Sequence, residues 1–160
     1  MSLYQRYLHH CATQSDIQHH LPLLYASAHG VVVELGTRTG VSTCALLAGV
    51  ERRGGHVWSI DIDDCSQLYA DHPQWTFKRG DSRDVSWAGC PRDVAVLLID
   101  TEHTYDMASS ELDAWADRMA PGGVILMHDT ETFPGVRRAA HGGVKKHGVA
   151  VVKQALLHDV

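Results

Sequence analysis

Residues 31–40 read Val31-Val32-Val33-Glu34-Leu35-Gly36-Thr37-Arg38-Thr39-Gly40. Three β-branched residues in succession predict a buried strand over 31–36. An acid lies inside that strand, and the turn after it carries Gly36 and Gly40. The small-residue run from Val41 to Ala48 then predicts a helix over 40–50. A strand that ends in a glycine turn and opens a helix brings backbone N–H groups up to a ligand. The ligand site is therefore expected here.

Working outward, the same alternation continues. Strands are expected at 56–61, 75–79, 93–100 and 123–128. The run Asp93-Val-Ala-Val-Leu-Leu-Ile-Asp100 is apolar on both faces, as at the centre of a parallel sheet. Helices are expected at 3–12, 16–28, 64–71 and 105–119. Pro22 is a break that could divide the second of these into two pieces. The segment 133–147 is weakly helical and is interrupted by Gly142-Gly143, and 148–158 reads as one strand or a short hairpin. Alternating strands and helices imply right-handed βαβ units: an α/β, doubly wound, mostly parallel Rossmann-like sheet with helices on both faces, in a minimal version.

A length of 160 residues suits a single domain. Residues 1–29 form N-terminal helices, 30–135 the ligand-binding core, and 136–160 a C-terminal helix with a strand or hairpin. A net charge of −5 and the lack of a basic run argue against a nucleic-acid partner. No apolar stretch approaches the roughly 20 residues of a membrane span, and the start has no apolar signal core. The four cysteines (11, 44, 65 and 90) form no C-x-x-C pair and read as reduced thiols, which suggests a cytoplasmic chain.

In a doubly wound sheet the ligand lies beyond the carboxyl ends of the strands. The shortlist is therefore Glu34–Gly40, Asp61–Asp63, Gly80–Ser82, Asp100–His103 and His128–Glu131. A dinucleotide would want G-x-G-x-x-G, but the turn here is Gly36-Thr-Arg-Thr-Gly40, without the second glycine that admits a pyrophosphate. A ligand carrying an ammonium and a carboxylate suits it better. Asp61, ending the second strand, is placed to accept both hydroxyls of a ribose. Asp81-Ser82 is placed to receive an adenine amino group.

The motifs 32–40, Ser59-Ile-Asp61, Gly80-Asp-Ser82, Leu97-Leu-Ile-Asp100 and Ala120-Pro-Gly-Gly-Val-Ile-Leu-Met-His-Asp129 together resemble the class I S-adenosylmethionine-dependent methyltransferases. The resemblance covers residues 30–135. It implies S-adenosylmethionine as cofactor, with binding roles for Glu34, Gly36, Thr37, Gly40, Ser42, Asp61, Asp81, Ser82 and Asp100.

Methyl transfer to oxygen requires a positioned acceptor and removal of its proton. Asp100 and Asp129 end strands four and five, so their carboxylates could converge on a divalent metal such as Mg²⁺. His103, three residues beyond Asp100, could serve as general base, its unperturbed pKa being about 6.5. The Asp100-x-x-His103-x-Tyr105 pattern resembles the metal-dependent O-methyltransferases, of the catechol type and of the type acting on macrolide and glycolipid sugars, together with their cephalosporin-hydroxylase-like relatives. That resemblance implies Asp100 and His103 as catalytic residues and Asp100, His128 and Asp129 as metal ligands. His128 stands where the family has an acid, and imidazole favours Mn, Fe or Zn over Mg²⁺. Three alternatives follow: a different metal, Thr130 or Glu131 as the ligand, or no metal.

The expected acceptor is a small hydroxylated molecule or a sugar. So short a chain leaves little for an acceptor lid, so a second subunit of a homo-oligomer could supply a wall. The shortness also keeps a second reading open, a non-catalytic module retaining the fold. The third, a nicotinamide oxidoreductase, is disfavoured by the missing glycine.

Overall fold

The computed structural model describes residues 1–147 and 150–152. Its strands are β1 (Gly30–Leu35), β2 (Gly55–Asp61), β3 (Trp75–Arg79), β4 (Val94–Ile99), β5 (Met119–Met127) and β6 (Ala150–Val152). Its helices are α1 (Leu3–Ala12), α2 (Leu21–Ser27), α3 (Val41–Arg53), α4 (Tyr105–Trp115) and α5 (Pro134–His147). The sheet order is β3-β2-β1-β4-β5-β6, and every described pairing is parallel. The chain winds outward from β1 to β3, returns to β4 beside β1, and winds outward the other way. The direction of winding thus reverses between β1 and β4, where such sheets open a crevice.

Alternation along each strand feeds two cores. Val32, Val57, Val96, Leu98 and Leu126 pack under α1, α2 and α3. Val33, Leu35, Ile60, Leu97, Ile99, Ile125 and Met127 face α4 and α5, with Leu112 and Trp115 between. Helix α3 is buried continuously from Ser42 to Val50, because the sheet covers one side and α1 and α2 the other. Its run of small and apolar residues is the composition such a position requires.

The expectations change at 64–71 and at 133–147 and hold at 16–28. Residues 64–71 form turns rather than a helix. Asp61 and Asp64 each accept the backbone N–H two residues on, which diverts the backbone from helical bonding. The Tyr69 hydroxyl anchors that segment by donating to the Gly40 carbonyl at 2.9 Å. Segment 16–28 is divided, as Pro22 allows, into a 3₁₀ turn at Gln18–His20 and α2, with the proline in the first turn. Helix α5, by contrast, runs unbroken through Gly142-Gly143. A Cβ on Gly143 would lie 2.9 Å from Leu112 Cδ1, so this glycine lets α4 and α5 approach. Of the C-terminal stretch 148–158, Ala150–Val152 form β6 and the rest lies outside the described residues. No helix among the described residues is long and apolar enough to cross a membrane.

Candidate active site

Backbone hydrogen bonds align the ends of four strands in one row. Gly36 N–H donates to Ile60 O (2.9 Å), Asp100 N–H to Leu35 O (2.9 Å) and His128 N–H to Ile99 O (3.0 Å). Asp61, Gly36, Asp100 and His128 thereby stand side by side at the carboxyl edge. Gly36 has φ +92, and a Cβ there would sit 2.0 Å from the Asp100 carbonyl oxygen. Glycine is required both by that close approach and by the left-handed backbone.

Two cavities open along this row. One, of about 620 Å³, is lined by Ser15–Ile17, Gly36–Thr39, Val41, Ser42, Asp100, Thr101, His103 and Asp129. The other, of about 300 Å³, includes Ile60–Asp63, Gly80, Ser82, Glu102 and Met107. Both share Gly36, Arg38, Asp100 and Thr101, so they form the two ends of one cleft.

Asp61 organises the turn. Its Oδ2 accepts the N–H groups of Thr37 (2.7 Å) and Arg38 (2.9 Å), and its Oδ1 accepts that of Asp63 (3.0 Å). Burial pushes this carboxyl up, but the backbone N–H groups of Arg38, Asp63 and Thr37 outweigh burial and hold it below the usual carboxylate range. It is a fixed anion with lone pairs left for a ligand. The Thr37 hydroxyl, buried at the cleft, has no partner among the described residues.

The residues expected to bind cofactor separate into two groups. Gly36, Thr37, Ser42, Asp61, Ser82 and Asp100 line the cleft. Glu34, Gly40 and Asp81 do not. Glu34 corrects the expectation of direct contact: it is fully buried beneath the turn and accepts hydroxyls from Ser42 (2.6 Å), Thr43 (2.7 Å) and Ser59 (2.6 Å). Its part is to tie β1, β2 and α3 together. Gly40 caps α3 with φ +76, its carbonyl taken by Tyr69. Asp81 turns outward to an ion pair with Arg83 at 2.6 Å, whose guanidinium holds the carboxyl down at about 2.

Burial pushes Glu34 up to about 7, against the lowering effect of its three hydroxyl partners. An acid with a raised folded-state pKa retains its proton while the unfolded chain loses one. Its contribution to stability is therefore lost as pH rises from about 4.5 to about 7, and is flat above. The difference in unfolding free energy between wild type and Glu34→Gln is expected to move against wild type by about 3 kcal/mol across that window. Urea unfolding of both proteins at each pH measures it. A constant difference would mean that Glu34 titrates normally.

Four ligand-type side chains meet at the ends of β4 and β5. Donor atoms of Asp100, His103, His128 and Asp129 all lie within 4.8 Å of one another. His103 Nε2 is 3.0 Å from Asp129 Oδ2 and 3.6 Å from Asp100 Oδ1. His128 Nδ1 is 3.1 Å from Asp129 Oδ2 and 3.4 Å from Asp100 Oδ1. His103, Asp100 and Asp129 face the cleft, whereas His128 approaches from behind and is 5% exposed. Burial lowers the His128 imidazole, but the carboxylates of Asp100 and Asp129 outweigh it and raise the ring to about 9. Asp129 has φ +57, unusual for a residue with a side chain and a form of strain concentrated at functional sites. Glu131 is turned away to Arg137, and Thr130 is buried, its carbonyl bonded to Arg137 Nε at 3.0 Å.

Sequence reasoning missed four features. Ser15–Ile17 wall the larger cavity, and Arg38 reaches back to Asp16 at 2.8 Å. Phe133 stacks on His103 with ring centroids 4.4 Å apart. Glu111, buried on α4, accepts the hydroxyls of Ser82 (2.5 Å) and Thr101 (2.8 Å). A carboxylate on the apolar face shared by Ala108, Leu112 and Trp115 was the available signal for this last one.

The fold is similar to that of solved methyltransferases. A methyltransferase of Podospora anserina, PaMTH1, solved with S-adenosylhomocysteine, aligns with a TM-score of 0.65 at 10% identity, covering 90% of this chain and 79% of its own. CalS11, a TDP-rhamnose 3'-O-methyltransferase of calicheamicin biosynthesis, gives 0.59 at 16% identity, covering 88% and 72%. A precorrin-6y C5,15-methyltransferase of Geobacter metallireducens gives 0.59 at 11% identity, covering 79% and 71%. The family described as "Methyltransferase domain" matches residues 33–130, more than half of the chain, from within β1 to just past the end of β5. The chain therefore belongs to the methyltransferase domain family and has the class I fold of the S-adenosylmethionine-dependent enzymes.

Proposed function

We propose that the protein transfers the methyl group of S-adenosylmethionine to a hydroxyl of a small molecule or sugar. The observation that carries this reading is that Asp100, His103 and Asp129 open onto the same cleft as Gly36, Thr37 and Ser42. A proton acceptor and the glycine turn thus share one water-accessible space. A sugar O-methyltransferase among the structures of similar fold supports the choice of oxygen.

In this reading the methionyl end of the cofactor lies over Gly36–Gly40 and the first turn of α3. Thr37 and Ser42 present hydroxyls to it. Asp61 accepts the ribose hydroxyls, and the adenine lies toward Gly80 and Ser82. The acceptor occupies the larger cavity, against Ser15–Ile17 and His103. His103, with Nε2 directed at Asp129 Oδ2 at 3.0 Å, takes the acceptor proton on its other ring nitrogen, Nδ1. The acceptor oxygen attacks the methyl carbon in line as the carbon–sulfur bond breaks, leaving S-adenosylhomocysteine.

A divalent ion fits the same place, because its donor groups converge and His128 is buried there without a hydrogen-bond partner among the described residues. Asp100, Asp129 and His128 would hold it, and it would lower the pKa of an acceptor hydroxyl. His103, on the cleft side, remains the base.

Asp61→Ala is expected to weaken S-adenosylhomocysteine binding about 100-fold, since two hydrogen bonds to a charged acceptor are lost at about 1.5 kcal/mol each. Titration calorimetry checks this, and unchanged affinity would remove Asp61 from the site.

A further inference from the structure

The donor set at the ends of β4 and β5 determines which ion suits it, an inference that rests on the methyl-transfer reading only for the ion's purpose. His128 is 5% exposed, and neither of its ring nitrogens has a hydrogen-bond partner among the described residues. Behind it lies a small pocket formed by Ile17, Leu23, Leu24, Leu98 and Met127, where the His20 ring meets it edge-on at 5.0 Å. Burying a polar nitrogen without an aligned hydrogen bond is costly, and an ion held at Nδ1 would satisfy that one. His128 Nδ1 faces Asp100 Oδ1 and Asp129 Oδ2 at 3.4 and 3.1 Å, yet makes an aligned hydrogen bond to neither. These three atoms and His103 Nε2, which also lacks a hydrogen-bond partner among the described residues, lie within 4.8 Å of one another. Ligand atoms each about 2.1 Å from a shared ion lie about 3.0–3.4 Å apart. Asp129, with φ +57, and its neighbour His128, which enters from the core, place two of these donors on adjacent residues.

We infer that this cluster takes a first-row transition-metal dication (Mn, Fe, Co or Zn) in preference to Mg²⁺, with His128 Nδ1 as the ligand that discriminates. Magnesium dehydrates reluctantly and prefers an all-oxygen octahedron. An imidazole fixed between two carboxylates provides one nitrogen donor that it uses poorly and the later ions use well. Asp100 and Asp129 supply the charge common to all these ions. His128, where a third acid would favour magnesium, sets the choice among them.

The test uses the whole chain, stripped of metal, titrated with Co²⁺ and followed by visible d–d absorption. Zn²⁺ and Mg²⁺ then compete. The expected results are saturable Co²⁺ absorption, displacement by equimolar Zn²⁺, and no displacement by Mg²⁺ in large excess. His128→Ala should weaken Co²⁺ binding at least about tenfold. Because that variant opens a hole in the core, His128→Asp is measured beside it. It should keep a three-donor site while shifting the Co²⁺-to-Mg²⁺ preference at least about tenfold toward Mg²⁺. Equal competition by Mg²⁺, or an unshifted preference in His128→Asp, overturns the inference. None of these readouts needs cofactor or acceptor. Cofactor binding without Co²⁺ binding therefore defeats this inference alone, and the opposite result defeats the methyl-transfer reading alone.

Discussion

His103→Ala is expected to lower turnover by roughly 10²- to 10⁴-fold, the range typical of a lost general base, while leaving cofactor affinity intact. The division between the two effects follows from position. His103 precedes α4, beyond the strand row, and lines the larger cavity but not the smaller one beside Asp61 and Ser82. Its ring is fixed from two sides, by Phe133 stacked at 4.4 Å and by the Asp129 carboxylate at 3.0 Å. Removing the imidazole leaves Gly36, Thr37 and Asp61 unchanged. Turnover with any accepted hydroxyl compound, set beside S-adenosylhomocysteine affinity, checks the prediction. Loss of both properties would make His103 structural, and loss of neither would remove it from the chemistry.

The second large effect is on the fold itself. Gly36→Ala is expected to cost roughly 3–5 kcal/mol of stability and to abolish cofactor binding. The added Cβ would lie 2.0 Å from the Asp100 carbonyl oxygen, a backbone atom fixed by the β1–β4 ladder. Neither strand can yield without breaking the hydrogen bond from Asp100 N–H to Leu35 O. The left-handed φ adds strain for any side chain. Gly40→Ala is the comparison. There the nearest atom is Tyr69 Cε2 at 3.0 Å, a side chain that can shift, so the cost should be about 1–2 kcal/mol. Urea unfolding of both variants gives the difference. Equal costs would show that the close approach of Gly36 to β4 does not matter.

These two residues illustrate what was legible in the chain. Gly36 could be read because a β-branched run, a glycine and a small-residue helix follow one another locally. For the same reason Asp61, Asp100 and Asp129 could be assigned to strand ends, and the strand ends to one edge. The destination of a side chain was harder to read. Glu34 carries the motif's acid, but three hydroxyls from α3 and β2 take it into the core. Asp81 has an arginine two residues on that draws it to the surface. Residues 64–71 have helical composition, yet Asp61 and Asp64 divert the backbone by bonding N–H groups two residues on. Each outcome depends on a competition between a local preference and a partner elsewhere. The stacking of Phe133 on His103 and the wall at Ser15–Ile17 join segments roughly 30 and 20 residues distant from their neighbours in the site, and no spacing rule announces such contacts.

The central claim is that the cleft between β1 and β4 holds S-adenosylmethionine rather than a dinucleotide. Titration calorimetry of the wild-type chain with S-adenosylhomocysteine and, separately, with NADH tests it most directly. The account predicts saturable one-to-one binding of S-adenosylhomocysteine and no heat with NADH, because the Gly36–Gly40 turn lacks the glycine that admits a pyrophosphate. Binding of NADH with no response to S-adenosylhomocysteine would contradict it.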